Sequence, residues 1–199
     1  VFKAGKKEGS HCKVCGKVLR KQITVAKLKP TISLTASSLK MKAGQSTTAF
    51  KAAGLAKGDY VTKVTSGNTG IVKVSSVTKK GTFRLTAGKK AGSTTVKVIL
   101  ASKKSASFKV TVQRGAVKTS KITVSTKSVT LKKGTTYRKL ASSVKVTPVT
   151  SQEKVTYTSS NKKIVTVTSG GVIKGLKKGT ATITIRSGSK RTTCKVTVK

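Results

Sequence analysis

Apolar residues in this chain recur at every second position, in short runs closed by glycine, serine or asparagine. Between residues 121 and 199, Val129 and Leu131 alternate ahead of Lys133-Gly134, and Val155 and Tyr157 alternate ahead of Ser159-Ser-Asn161. Ile164, Val165 and Val167 make one short run, and Val172-Ile173 makes another between Gly171 and Gly175. Ile183 and Ile185 then interleave with Thr182, Thr184 and Arg186, and Val196 and Val198 with Lys195, Thr197 and Lys199. A period of two places Val and Ile on one face of a strand and Lys and Thr on the other. Turn signals about every 8–12 residues are the spacing of an all-β sandwich. No stretch has the period of a helix.

The same grammar is written twice. Ile32-Ser-Leu-Thr-Ala-Ser-Ser-Leu-Lys-Met-Lys-Ala-Gly44 parallels Ile122-Thr-Val-Ser-Thr-Lys-Ser-Val-Thr-Leu-Lys-Lys-Gly134, with an offset of 90 at both ends. Ser66-Gly-Asn-Thr-Gly-Ile-Val-Lys-Val74 parallels Ser159-Ser-Asn-Lys-Lys-Ile-Val-Thr-Val167. Ala91-Gly-Ser-Thr-Thr-Val96 parallels Lys178-Gly-Thr-Ala-Thr-Ile183, and Phe108-Lys-Val-Thr-Val112 parallels Cys194-Lys-Val-Thr-Val198. Four matches in one order predict two copies of one domain. The expected organisation is a Cys-containing segment over 1–29, a sandwich over 30–113, a linker over 114–120 and a second sandwich over 121–199. The linker is short, so the two sandwiches are expected end to end with a modest interface.

The residues of the second copy carry a family resemblance. The order Ile-x-Val, Val-x-Leu-x-x-Gly, Val-x-Tyr-x-Ser-Ser-Asn, Ile-Val-x-Val, Gly-x-Ile-x-Gly, Gly-x-Ala-x-Ile, Cys-x-Val-x-Val along 122–199 resembles the bacterial immunoglobulin-like domain group 2. Tyr157 stands where that family often has Trp. The first copy, 32–113, is similar over less of its length, and its Lys57-Gly-Asp-Tyr60 departs from the pattern. The resemblance implies tandem Ig-like sandwiches, as found in invasin- and intimin-like adhesins. It also implies a bacterial surface or secreted protein. A fold shared this widely specifies no single ligand. Gly9-Ser-His-Cys-Lys-Val-Cys-Gly-Lys-Val-Leu19 resembles the end of a short Cys-containing repeat of large bacterial surface proteins. The chain opens at Val1 inside that motif and is read as a fragment, which leaves export undetermined.

Composition changes the picture in two ways. Only 35% of residues are hydrophobic and aromatics number seven with no Trp. Such a chain invites disorder when its charge is high, but the alternation argues for a core built from Val, Ile, Leu, Thr and Ala. The charge is indeed high: 44 Lys and Arg face Glu8, Asp59 and Glu153, a net of +41. Such a surface meets anions wherever it works. Arg occurs only at 20, 84, 114, 138, 186 and 191, so most of the cations are hydrated point charges that favour diffuse, salt-sensitive attraction. Solubility and protection of exposed strand edges is the competing explanation for them. The nominated outward strand positions are Lys73, Lys97, Lys109 and Lys195, and the nominated loop pairs are Lys79-Lys80, Lys89-Lys90, Lys132-Lys133 and Lys177-Lys178. The expected partners are teichoic acids, host glycans and other anionic surface polymers, with non-specific nucleic-acid binding in vitro from charge alone. A spacer for another domain of a longer protein, or a nucleic-acid or matrix-binding polycation, is the alternative. No run of about 18 apolar residues exists to span a membrane as a helix, and a monomer is the favoured state.

Catalysis finds little to work with. The one histidine, His11, lies in the terminal segment, and no two acids are placed for general acid–base work. Calcium wants several carboxylate oxygens. A recognition helix, zinc-finger spacing and paired RNA-stacking aromatics are all missing. Cys12 and Cys15 form a Cys-x-x-Cys beside His11, half of a zinc knuckle at most, since a structural zinc takes four ligands. Zinc, a local disulfide and reduced thiols all remain open for that pair. No cofactor is otherwise implied. Cys194 occupies a core-facing position equivalent to Phe108 and reads as a small buried hydrophobe.

Overall fold

The computed structural model describes residues 5–7, 10–11, 13–20, 23–25 and 29–199. The chain divides into two compact units, Val1–Ser38 with Gly44–Thr111 and Leu39–Ala43 with Val112–Lys199. The described residues are strands and turns, with one 3-10 turn at Ala141–Ser143 and no α-helix. The chain is all-β, as its period of two predicts.

Among the described residues four short strands come first: β1 (Gly5–Lys7), β2 (Ser10–His11), β3 (Val18–Arg20) and β4 (Ile23–Val25), with β1 antiparallel to β4 and β2 to β3. The first copy follows as β5 (Ser33–Leu34), β6 (Ser38–Lys42), β7 (Ser46–Thr47), β8 (Ala52–Ala53), β9 (Val61–Ser66), β10 (Val72–Ser75), β11 (Arg84–Ala87), β12 (Gly92–Leu100) and β13 (Ser105–Gln113). Its four-stranded sheet runs β6-β13-β12-β9, its three-stranded sheet β10-β11-β7, and β5 pairs with β8. The second copy comprises β14 (Lys121–Val124), β15 (Ser128–Leu131), β16 (Thr136–Tyr137), β17 (Val144–Thr147), β18 (Val155–Ser159), β19 (Val165–Val167), β20 (Ile173–Gly175), β21 (Gly179–Ser187) and β22 (Lys190–Val198). It repeats the plan: β15-β22-β21-β18, β16-β20-β19, and β14 with β17. β15 joins β22 in parallel, whereas β18 and β22 flank β21 antiparallel.

The Ser-x-Asn matches in the two copies make one turn. Ser66 and Ser159 accept the N–H of Asn68 and Asn161 on Oγ, both at 3.3 Å. The asparagine Oδ1 accepts the N–H two residues on, Gly70 at 2.9 Å and Lys163 at 3.0 Å. The asparagine carbonyls then receive Val72 and Val165, each at 3.0 Å, which launches β10 and β19. The side-chain amide supplies locally what no ladder reaches.

Both cores are built from the inward half of the alternation, but with different bulk. In the first copy Phe50, Phe83 and Phe108 are buried together; Phe50 and Phe108 stack at 4.0 Å between centroids and Phe83 lies 6.2 Å from Phe108. In the second, Cys194 is buried at the position of Phe108, among Leu140, Ile173, Ile183 and Val196. Register locates a compensation. Leu85 pairs with Val74 and Ile173 with Val167, so Phe83, two residues before Leu85, corresponds to Gly171. Val64 pairs with Val98 and Tyr157 with Ile185, so Val64 corresponds to Tyr157. A Cβ on Gly171 would stand 3.1 Å from Tyr157 Cζ. The ring that the first copy supplies ahead of β11 thus arrives from β18 in the second, and close packing then holds Gly171 to a glycine. Burial pushes the Tyr157 hydroxyl pKa up.

Candidate functional surface

The strand positions nominated from the sequence all lie on exposed faces. Lys73 sits on β10 opposite Thr86, and Lys97 on β12 opposite Thr65. Lys109 is exposed on β13, between the buried Phe108 and Val110. Lys195 on β22 lies between Ser128 of β15 and Thr182 of β21. Each inward Val, Phe or Cys turns its Lys neighbour outward, and Lys73, Lys97 and Lys195 sit opposite the hydroxyl residues Thr86, Thr65, and Ser128 and Thr182. Like charges directly across a sheet are destabilising. The loop lysines Lys79, Lys80, Lys89, Lys90, Lys132, Lys133, Lys177 and Lys178 are exposed as well. Lys79 holds its Nζ 5.3 Å from the Tyr60 ring centroid, a cation–π contact.

Two of these lysines border one cleft. Lys73 and Lys89 border an open cleft of about 460 Å³ in the first unit, with Thr69, Thr86 and the backbone of Gly44, Gly70 and Gly88. The other nominated lysines do not share it.

The two acids among the described residues, Asp59 and Glu153, are spent on structure. Asp59 is raised by partial burial, but this is outweighed by its hydrogen bonds, so its carboxyl stays below the ordinary range. Oδ2 accepts the Ser102 hydroxyl at 2.7 Å, and Oδ1 accepts the backbone N–H of Ser102 at 3.2 Å and of Tyr60 at 3.0 Å. Asp59 thereby fastens the β12–β13 turn to the chain entering β9. The Lys57–Tyr60 stretch that departs from the family pattern is this fastening. Glu153 is half-buried beside β21. Its Oε2 accepts the Thr119 N–H at 2.7 Å, and Thr119 Oγ1 is shared with Ser187 at 2.7 Å and Ser151 at 2.8 Å. Within 114–120 both Val117 and Thr119 are buried. These polar contacts join residues more than 30 positions apart, and no local pattern announces them.

Among the described residues no three His, Cys, Asp or Glu side chains converge as a metal would require. Of the nominated metal ligands, Cys12 lies outside the described residues, as does the side chain of His11, whose backbone belongs to β2. Cys15 is exposed at the end of the Lys13–Cys15 turn. Cys194 is fully buried and is not near them in the chain; burial pushes its thiol pKa up, against a smaller opposing pull from Lys127.

Two β-sandwiches of one plan define an immunoglobulin-like, all-β protein. Over residues 118–198 the chain matches the family model described as bacterial Ig-like domain (group 2). No curated protein matches the chain. Among solved structures it is similar to the S-layer protein SbsC, domains 5-6, at 22% identity over 84% of this chain and 96% of that one, TM-score 0.41. It is also similar to the S-layer protein rSbsC(31-844) at 17% identity, TM-score 0.37, covering 100% of this chain and 35% of that one. A third is Protocadherin Gamma C5 EC1-3, at 12% identity, 100% and 77% coverage, TM-score 0.39. The chain therefore spans about a third of the longer S-layer structure. Among the described residues no helix is long and apolar enough to cross a membrane.

Proposed function

We propose that this chain is part of a non-catalytic bacterial cell-surface protein, serving adhesion or structural display, whose cationic faces draw anionic polymers such as wall teichoic acid or host glycans. The observation that carries the reading is that all twelve nominated lysines are exposed on strands and turns. The match to a bacterial Ig-like domain supports a bacterial surface setting. Rigid sandwiches hold the rows in place, and a polymer gains from many contacts at once, each worth little in water. The test compares teichoic acid, heparin, DNA and a neutral glycan as immobilised ligands at low salt and at about 150 mM, where the Debye length is about 8 Å. Binding to one anion that persists at the higher salt supports the reading. Equal collapse on every anion leaves the chain a passive spacer.

A further inference from the structure

Most of the cations are Lys, and only six are Arg. Two of those six, Arg186 on β21 and Arg191 on β22, are directly opposite one another in the antiparallel register. Both are exposed, on the face opposite the buried Ile185 and Ser187. Side chains so placed have Cβ atoms about 4.5–5.5 Å apart, and two like charges there cost stability unless something answers them. The only acid between residues 112 and 199, Glu153, carries its carboxylate against Gly188 of the same hairpin, but it gives Oε2 to the Thr119 N–H. The turn holds one guanidinium ready: Arg186 Nε donates to the Gly188 carbonyl at 2.7 Å, which leaves its terminal amino groups for a ligand. Along the same face the next cross-strand pair is Thr184 with Thr193, and the one after it Thr182 with Lys195. With strands rising about 3.4 Å per residue, Lys195 lies roughly 13–14 Å from Arg191.

We propose that Arg186 and Arg191 form a recognition site for a phosphodiester group of a linear anionic polymer, with the chain of the polymer lying along β22 toward Lys195. Guanidinium forks match phosphate oxygens, whereas a lone ammonium does not. Two forks from one side clasp a single group, hydroxyls of Thr184 and Thr193 continue the track, and Lys195 meets a later charge. This assignment rests on the anionic-polymer reading above and says where the second sandwich reads its ligand: on a sheet face, not on the loop lysines.

Poly(glycerol phosphate) is the probe, with heparin and polyglutamate as sulfate and carboxylate comparisons, at about 150 mM salt. Arg186→Thr/Arg191→Thr is compared with Lys177→Thr/Lys178→Thr, which removes the same charge from a loop, and with Arg186→Lys/Arg191→Lys, which keeps the charge and removes the forks. The Thr pair at 186 and 191 is expected to weaken poly(glycerol phosphate) binding about tenfold or more, the loop pair about two- to threefold, and the Lys pair to fall between. Poly(glycerol phosphate) is also expected to raise the melting temperature of the unsubstituted chain more than that of the Thr variant. Should the Thr variant fail to fold, the Lys variant still separates forks from charge. Equal losses in the Arg and loop variants overturn the site while leaving the anionic-polymer reading in place. Arg-dependent binding confined to heparin or polyglutamate overturns the phosphodiester assignment. No binding by the unsubstituted chain overturns the reading itself.

Discussion

Ile164 lies so close to Gly179 that a Cβ on the glycine would stand 2.9 Å from its Cδ1, and the first copy repeats the contact with Ile71 and Gly92 at 2.8 Å. The isoleucine precedes the short strand and the glycine opens the long one, so each pair ties the start of β21 or β12 to the turn made by the Ser-x-Asn motif. The two glycines differ in backbone. Gly179 has φ +145, which side chains rarely adopt, and Gly92 has no such dihedral. Gly179→Ala is therefore expected to cost about 1–3 kcal/mol. Gly92→Ala is expected to cost less, because the far end of Ile71 can swing away. Urea denaturation of the two variants checks the order; equal costs would show that the contact, not the dihedral, dominates.

The two asparagines serve the same turn. Asn161→Ala removes the acceptor of the Lys163 N–H and Asn68→Ala that of the Gly70 N–H. Each substitution is expected to destabilise its own copy by about 0.5–1.5 kcal/mol. Asn→Asp, which keeps an acceptor, is expected to recover most of that loss near neutral pH.

The cores differ in what one truncation removes. Phe108→Ala empties part of a three-ring cluster and is expected to cost about 3–5 kcal/mol. Cys194→Ala deletes one sulfur at the equivalent place and is expected to cost far less, about 1 kcal/mol. In a chain carrying Cys12→Ser and Cys15→Ser, the remaining Cys194 thiol is expected to ignore an aromatic disulfide reagent until the protein unfolds, because burial both shields it and raises its pKa. Prompt labelling of the native protein would contradict the buried assignment.

Asp59 makes stability depend on pH in a stated direction. Its folded pKa lies below the ordinary carboxylate value, so its contribution is present above the unfolded pKa of about 3.9 and fades as the pH falls through the lower folded value. Asp59→Asn is expected to melt below the unsubstituted chain at neutral pH, and the gap is expected to close in acid. The melting temperatures of both proteins between neutral pH and strong acid test this. A gap that widens in acid would reverse the sign and the assignment.

Much of this architecture is legible along the chain, for physical reasons. Strand periodicity is a local property, so β15, β18, β21 and β22 are predicted by the alternation of Val, Ile and Leu with Thr and Lys. The Ser-x-Asn turns are legible for the same reason: donor and acceptor lie two residues apart. The outward lysines follow from their buried neighbours. The Glu153–Thr119–Ser187 contacts are not legible, since they join three distant segments, and neither is the exchange of Phe83 and Val64 for Gly171 and Tyr157. The Arg186–Arg191 pair lies between. Ser187 and Lys190 flank Gly188-Ser189, a two-residue turn that sets the next pair, Arg186 and Arg191, in register, yet only the ladder shows that they are opposed on one exposed face.

The sequence by itself determined that this is a twice-written β protein with almost no acid and with its nominated strand lysines set outward, because alternation, turn chemistry and charge count are all properties of neighbours in the chain. The tertiary structure alone decided which cations share a place and which acids are already engaged. Those outcomes depend on strand register and on contacts between residues far apart in sequence. A shift of one residue in the β21–β22 ladder would leave every local pattern intact and take Arg186 away from Arg191.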